Sequence, residues 1–326
     1  MNSNDIKLKK TAQFVGIALL AFLLLFQGVY STFVLNIAPI ITEILGQAPG
    51  YVIVQILSGI IYAATFILPA LLFSHLNRKE KTENSALSTP QLSPKLAPYI
   101  IMATVAIAIS CAYVNSWLGT AFGITGNLES ANTFISPLDF VLLIFTTAIV
   151  PAISEEFLFR KTLIPALRPY GEGFAIFSSA IFFGLMHQNI LQIFYTTMAG
   201  VLLGYIYVKT RSYLCVFLIH FVNNFVSILQ KVFVSNLDEA YSTIAIITLT
   251  AIIVSLGTIS AIILIFKEKT KEDVYASGSF GKIIRPSLGF ASRQTSIAPT
   301  KALFLSPSVL IFIILTASTC LLQFFL

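Results

Sequence analysis

The sequence predicts an all-α, polytopic transmembrane helix bundle of eight or nine spans. Of its 326 residues, 56% are hydrophobic and 10% are charged, and the mean hydropathy is +0.87. Soluble domains carry about 25% charged residues, so a soluble fold is excluded. Apolar runs recur at about the 20-residue length that crosses a bilayer as a helix. The expected spans are residues 11–34, 52–73, 97–118, 138–158, 174–190, 191–208, 212–233, 241–266 and 303–326.

The basic residues predict how these spans are oriented. Loops on the cytoplasmic side hold an excess of Lys and Arg. With the N-terminus in the cytoplasm, all of the 20 Lys and Arg residues except Lys231 fall on the cytoplasmic side. This pattern accounts for the net charge of +6, so a nucleic-acid partner is not expected. We expect an integral protein of the plasma membrane whose N-terminus is cytoplasmic.

Polar segments divide the chain into three parts. Residues 1–136 hold the first three spans and a predicted cytoplasmic linker at 74–96, and residues 137–233 form a helical core that contains the motifs described below. Residues 234–326 hold the last spans and a second predicted cytoplasmic linker at 267–302. Both linkers are polar and lack apolar periodicity, which is typical of flexible connections.

The sixth predicted span carries a stripe of small residues. Thr196, Gly200 and Gly204 recur every four residues, a spacing that lets two helix backbones approach closely. The pattern predicts close packing inside the bundle.

The segment 151–160 lies at the end of the fourth predicted span, and two carboxylates and an arginine interrupt an apolar run there. An ionisable residue within a span costs about 2.5–3.5 kcal/mol on insertion scales, so such residues are rare and usually paired or functional. Glu156 and Arg160 are four positions apart and share one helix face, whereas Glu155 points roughly 100° away. We therefore expect a structural pair of Glu156 and Arg160 that leaves Glu155 free to act.

Two of the three histidines, His187 and His220, lie within predicted spans. Glu155 and His187 are each sixteen residues from Gly171, which lies in a predicted turn between antiparallel helices. Equal distance from the turn means equal depth in the membrane. Asn224 lies one turn beyond His220 on the same helix face. These side chains are predicted to converge in one polar pocket below the cytoplasmic surface.

The predicted pocket holds the groups that peptide hydrolysis requires. A desolvated carboxylate can act as a general base, a neutral histidine can relay a proton, and a His–Asn pair can donate hydrogen bonds to an oxyanion. Glu155, His187 and His220 could instead hold a zinc ion with one open position. The HExxH motif of thermolysin-like zinc sites is absent. No cofactor is favoured, and zinc is the alternative.

Three motifs carry a resemblance to a known family. In chain order they are EExxxR at residues 155–160, FxxxH at residues 183–187 and HxxxN at residues 220–224. Over about residues 137–230 the chain resembles the CPBP intramembrane proteases. That family includes type II CAAX prenyl endopeptidases and bacteriocin-processing and bacteriocin-immunity proteins.

The resemblance implies a role for each motif residue. Glu155 would activate water with help from His187, while His220 and Asn224 would stabilise the oxyanion. The structural or site-orienting residues would be Glu156, Arg160 and Phe183.

The expected function is an intramembrane endopeptidase that cleaves a membrane-associated protein or peptide from the cytoplasmic side, with CAAX-type proteins among the candidate substrates. One alternative is a non-catalytic protein of the same fold that binds a peptide, as in bacteriocin immunity. Such a protein would not need the acid–base set. A second alternative is an ion-coupled transporter, which would favour repeated halves, and no internal repeat is evident.

Overall fold

The chain folds into a helical bundle in the part that the computed structural model describes, which is residues 3–79, 92–121, 135–269, 295 and 297–322. This part contains ten helices and no strand. Several of the helices include π or 3₁₀ turns. Their bounds are α1 Ser3–Leu45, α2 Gln47–Leu76, α3 Ala97–Ala121, α4 Pro137–Tyr170, α5 Glu172–Leu185, α6 Ile190–Thr210, α7 Tyr213–Asn236, α8 Glu239–Lys269, α9 Pro299–Phe304 and α10 Pro307–Leu322.

Seven of the described helices are long and apolar enough to cross a membrane, namely α1, α2, α3, α4, α6, α7 and α8. The helices α5 and α10 are shorter and also apolar. The nine predicted spans therefore correspond to seven long helices and two shorter ones, and the prediction of an all-α polytopic bundle is confirmed. The protein is an integral membrane protein.

The boundaries of three predicted spans are wrong. The first and fourth helices extend well beyond the predicted 11–34 and 138–158, because both continue through segments that mix polar and apolar residues. The fifth span was expected to reach residue 190, but α5 ends at Leu185. Its 14 residues cover about 21 Å, less than the roughly 30 Å of a hydrocarbon core. The helix α5 is therefore too short to cross the hydrocarbon core by itself.

The two predicted linkers are partly helical at their ends. The helix α2 continues to Leu76 and is followed by a 3₁₀ turn, Asn77–Lys79, which shortens the predicted linker 74–96. The helix α8 extends to Lys269 and α9 begins at Pro299, inside the predicted linker 267–302. The remainder of both linkers lies almost entirely outside the described residues.

The helix α4 is interrupted on both sides of the two glutamates. A π turn covers Ile144–Ile149, an α-helical segment covers Val150–Glu156, and a second π turn covers Phe157–Leu163. Pro151 lies in the middle segment and cannot donate a backbone hydrogen bond. π turns widen a helix locally and often occur at functional sites. The two π turns therefore flank the segment that contains both glutamates of the EExxxR motif.

The close packing predicted for the sixth span is present between α5 and α6. A Cβ atom at Gly200 would lie 3.0 Å from Ala180 Cα, and one at Gly204 would lie 3.3 Å from the Ile176 side chain. The absence of side chains at these two positions lets the helices approach. Buried apolar residues form two clusters, and α4 and α5 contribute to both of them. The region around the charged motif thus lies between two apolar cores.

Candidate active site

The charged and polar motif residues come together between α2, α4, α7 and the turn that joins α5 to α6. Glu156 and Arg160 on α4 are fully buried, Glu155 is 4% exposed, and His220 on α7 is 7% exposed. Burial of so many ionisable groups in a membrane protein is costly unless they are paired. The contacts of each group therefore indicate its role.

Glu156 and Arg160 form the ion pair that their spacing predicts. Arg160 Nη1 donates to Glu156 Oε1 at 3.0 Å, and Arg160 Nη2 donates to the carbonyl of Gly200 on α6 at 3.2 Å. The guanidinium carbon also lies 4.5 Å from the ring centroid of Phe183. A charge, a carbonyl dipole and an aromatic face thus compensate the buried arginine.

His220 connects the two glutamates, which the sequence did not predict. Its Nδ1 lies 2.8 Å from Glu156 Oε1, and its Nε2 lies 3.9 Å from Glu155 Oε2. In the tautomer with the proton on Nδ1, the ring donates to Glu156 and turns Nε2 toward Glu155. Glu156 Oε1 therefore holds both Arg160 and His220, rather than Arg160 alone.

His187 lies in the turn after α5 and not on a helix, contrary to expectation. Its Nδ1 is 2.8 Å from the carbonyl oxygen of Phe183. A carbonyl can only accept, so Nδ1 carries the proton and donates, which leaves Nε2 as an acceptor. The next residue, Gln188, has a left-handed backbone with φ of 49° and pairs with Gln27 on α1.

Asn224 is held by a gap in the hydrogen bonding of α4. Pro151 has no N–H to donate to the carbonyl of Thr147, four residues earlier. Asn224 Nδ2 donates to that carbonyl oxygen at 3.1 Å. Backbone carbonyls need partners inside a membrane, and this bond supplies one to a carbonyl to which the proline cannot donate. The second N–H of the Asn224 amide is not used by this bond.

Four further polar side chains at the site were missed by the sequence analysis. Tyr62 on α2 donates to Glu155 Oε1 at 2.6 Å. Asn223 and Tyr195 pair with each other, with Asn223 Nδ2 2.7 Å from the tyrosine oxygen. Gln192 lines the site from the start of α6. The only available sequence signal was a polar group within an apolar run, which many packing residues share.

Two cavities meet at the site. The larger, of about 370 Å³, is lined by His220, Asn223 and Asn224 among other residues. The smaller, of about 200 Å³, is lined by Glu155 and by a set of mostly aromatic side chains. Three residues line both cavities, namely Phe183, His187 and Gln192. The predicted catalytic residues therefore lie along a common wall of these two adjoining cavities, with Glu155 on one side of His187 and His220 and Asn224 on the other.

The zinc alternative requires Glu155, His187 and His220 to face one point. Within the described ranges, no group of three or more His, Cys, Asp or Glu side chains is arranged to hold a metal ion. The Nδ1 atoms of both histidines bind protein oxygens, which leaves both Nε2 atoms available to a proton or a metal ion. The metal-free mechanism therefore stays a prediction, and zinc stays its alternative.

The core of the chain matches a known family. Residues 137–226 match the model of the Type II CAAX prenyl endopeptidase Rce1-like family. This segment is similar to that family over 90 of the 326 residues. It begins with the first residue of α4 and ends within α7, so it includes every motif residue predicted from the sequence. The resemblance to the CPBP proteases is confirmed for this part of the chain.

One curated relative supports the same family. The chain is similar to the protein named "Putative membrane peptidase YdiL" of Bacillus subtilis (strain 168), with 31% identity over 125 residues. The similarity covers 37% of this chain and 51% of the relative, so the chain spans about half the length of the curated relative that it matches. No solved structure matches the chain significantly.

Proposed function

We propose that the protein is an intramembrane endopeptidase that hydrolyses a peptide bond of a membrane-associated protein or peptide with a water molecule activated by Glu155. The observation that carries this proposal is the common wall on which Glu155, His187, His220 and Asn224 lie, between two cavities. Each cavity has room for part of a peptide chain. The family match of residues 137–226 supports the reaction class.

Glu155 is the general base in this proposal. The carboxylate takes a proton from water while the water oxygen bonds to the peptide carbonyl carbon, and the carbonyl becomes an oxyanion. The proton then passes from Glu155 to the amide nitrogen as the C–N bond breaks, which gives a carboxylic acid and an amine. His187 assists by accepting a hydrogen bond from the water at Nε2, because its Nδ1 is fixed as a donor to Phe183.

His220 and Asn224 stabilise the oxyanion. Two buried carboxylates and one buried guanidinium surround His220, so a positive charge on its ring balances the cluster. A protonated His220 donates from Nε2 into the cavity while Nδ1 remains on Glu156. The second N–H of Asn224 is the other donor. Fixed donors of this kind contribute roughly 100- to 1000-fold each.

A comparison of membrane proteomes tests the proposal and identifies substrates. Membranes are taken from cells that produce the wild-type chain, a Glu155→Gln variant or a Glu239→Gln variant, and new protein N-termini are identified by mass spectrometry. Glu239 is an exposed acid at the start of α8 and serves as the matched control. Cleavage products, CAAX-type proteins among them, should form with the wild type and the control. They should fall at least about 100-fold with Glu155→Gln, since the base is lost.

Other outcomes of that comparison would contradict the proposal. Equal cleavage by Glu155→Gln would remove Glu155 from the mechanism. If the wild type generates no new N-termini, a non-catalytic peptide-binding function would replace the protease.

The metal-free mechanism has its own test. Purified wild-type protein should contain well under one zinc per chain by elemental analysis, and its activity should survive exhaustive chelation. Stoichiometric zinc that disappears in His187→Ala and His220→Ala would instead establish a metal centre, particularly if added zinc restores the activity of stripped enzyme.

The proposed orientation places the N-terminus and the site's access route on the cytoplasmic side of the plasma membrane. Two sets of contacts among residues predicted to be cytoplasmic support this orientation. Arg168 and Lys209 both bind Glu172, and Lys9 and Lys301 line one cavity. Cytoplasmic reporters fused within residues 80–90 or 275–295, which lie outside the described part except for residue 295, should be active. A reporter near residue 238 should be silent. An inactive fusion at 275–295 would contradict this topology.

A further inference from the structure

The carboxylate of Glu155 has a partner that lies outside the matched family segment. The hydroxyl of Tyr62 donates to Glu155 Oε1 at 2.6 Å, a distance typical of a strong hydrogen bond from a hydroxyl to a carboxylate. Tyr62 is on α2, whereas the family match covers residues 137–226 only. Tyr62 also lines the smaller cavity beside Glu155. A helix of the N-terminal part therefore contacts the proposed base directly.

The ring of Tyr62 is fixed by other aromatic side chains. Its centroid lies 5.5 Å from that of Tyr30 and 6.2 Å from that of Phe26, both in edge-on contacts, and 5.1 Å from that of Phe66. These distances are typical of favourable aromatic pairs. These contacts with α1 and α2 position the ring, so that the hydroxyl lies beside the Glu155 carboxylate.

We propose that Tyr62 is a positioning residue that makes the two oxygens of Glu155 inequivalent. This inference rests on the proposed function of Glu155 as the general base. Oε1 is occupied by the phenol, while Oε2 faces His220 Nε2 at 3.9 Å and is the oxygen available to water. An oxygen that accepts a strong hydrogen bond is the less favourable one to protonate. The proton taken from water therefore goes to Oε2, on the side of the oxyanion donors.

This arrangement ties two steps of the reaction to the same oxygen. Oε2 receives the proton of the attacking water and then returns it to the departing amine. Tyr62 remains a donor to Oε1 throughout, so its own proton is neither gained nor lost. The phenol acts on the geometry of the carboxylate and not on the substrate, so its removal should change kcat more than KM.

A kinetic comparison of three full-length proteins in lipid nanodiscs tests the inference. They are the wild type, Tyr62→Phe and Tyr30→Phe, assayed with a fluorogenic peptide that contains a cleavage sequence found in the proteome comparison. Tyr62→Phe should lower kcat roughly 10- to 100-fold, as expected for loss of one charge-assisted hydrogen bond, and should leave KM within about twofold. Tyr30→Phe removes a phenol from the same aromatic cluster and should behave as the wild type.

A double-mutant cycle separates positioning from general packing. Glu155→Asp retracts the carboxylate from the phenol, so adding Tyr62→Phe to that variant should lower kcat less than about twofold further. Melting temperatures of Tyr62→Phe and the wild type should agree, because the ring is retained. If the two substitutions lower kcat independently, so that their factors multiply, the inference is wrong. It is also wrong if Tyr62→Phe keeps the wild-type kcat. In either case Glu155 remains the base. Full activity of Glu155→Gln would overturn the proposed function and this inference together.

Discussion

The two sides of the polar cluster differ although they begin at adjacent residues of α4. On one side, Glu155 faces an aromatic cavity and has one carboxylate oxygen directed toward His220 at 3.9 Å. On the other side, Glu156 is fully buried and binds Arg160 and His220 with a single oxygen. One carboxylate is open to a ligand and the other is enclosed. Neighbouring identical residues thus acquire different chemistry from the helix faces they occupy.

The two histidines also differ, in the hydrogen-bond partner of each ring. Each is held through Nδ1 at 2.8 Å, but His187 is held by the neutral carbonyl of Phe183 and His220 by the carboxylate of Glu156. A carbonyl partner favours a neutral ring with an accepting Nε2. A carboxylate partner favours a charged ring with a donating Nε2. The open side is therefore suited to taking up a proton, and the enclosed side to stabilising negative charge.

The largest effect should come from removing the charge of the enclosed glutamate. Glu156→Gln leaves Arg160 buried without a counter-ion, which typically costs about 3–5 kcal/mol. The variant should be poorly produced and should melt at a much lower temperature in detergent. Glu155→Gln, on the open side, should melt close to the wild type.

A double variant sharpens that prediction. Replacing both members of the pair, in Glu156→Gln with Arg160→Met, removes the uncompensated charge and should recover much of the lost stability. Activity should not return, since the carboxylate that orients His220 remains absent. If Glu155→Gln were the unstable variant and Glu156→Gln melted close to the wild type, the two sides would have been assigned the wrong way round.

The sequence was sufficient to predict the fold class and the members of the motif set. Spans follow from apolar runs of bilayer length, and a Glu and an Arg four apart on a helix meet even where a π turn intervenes. The Glu156–Arg160 contact is therefore a local consequence of the sequence. Local spacing also placed Glu155 on a different face from that pair.

The contacts between helices could not be predicted in the same way. Nothing in the local sequence indicates that Tyr62 on α2 reaches Glu155, or that Glu156 also holds His220 on α7. Such contacts depend on how the helices pack against each other. The end of α5 was also missed, although the polar residues His187, Gln188 and Asn189 interrupt the apolar run there and Asn189 caps α6. Pro151 was a usable signal, since it leaves the carbonyl of Thr147 in need of a donor.

A smaller effect is expected from the two adjacent asparagines on α7. Asn224→Ala removes the amide that contacts Thr147 and faces the larger cavity, and should lower kcat about 100-fold as an oxyanion donor does. Asn223→Ala breaks neutral hydrogen bonds with Tyr195, each worth about 1 kcal/mol, and a longer one to the Asn224 amide oxygen at 3.4 Å, and it should change kcat by less than about tenfold. Steady-state kinetics and melting curves of both variants provide the measurement. A lower melting temperature with unchanged kcat in Asn224→Ala would make Asn224 only a tie between α7 and α4.

The smallest effect is expected from Gly200→Ala, which tests whether the close packing of α5 and α6 makes the enclosed side rigid. A Cβ at Gly200 would lie 3.0 Å from the backbone of Ala180, and the Gly200 carbonyl accepts from Arg160. Gly200→Ala should therefore cost about 1–3 kcal/mol through overpacking. Gly28 on α1 has no neighbouring atom within 4 Å of its Cβ position, so Gly28→Ala should be neutral or stabilise by up to about 1 kcal/mol. Equal melting temperatures for the two variants would mean that α5 and α6 can separate freely, and that the enclosed side does not depend on their close approach.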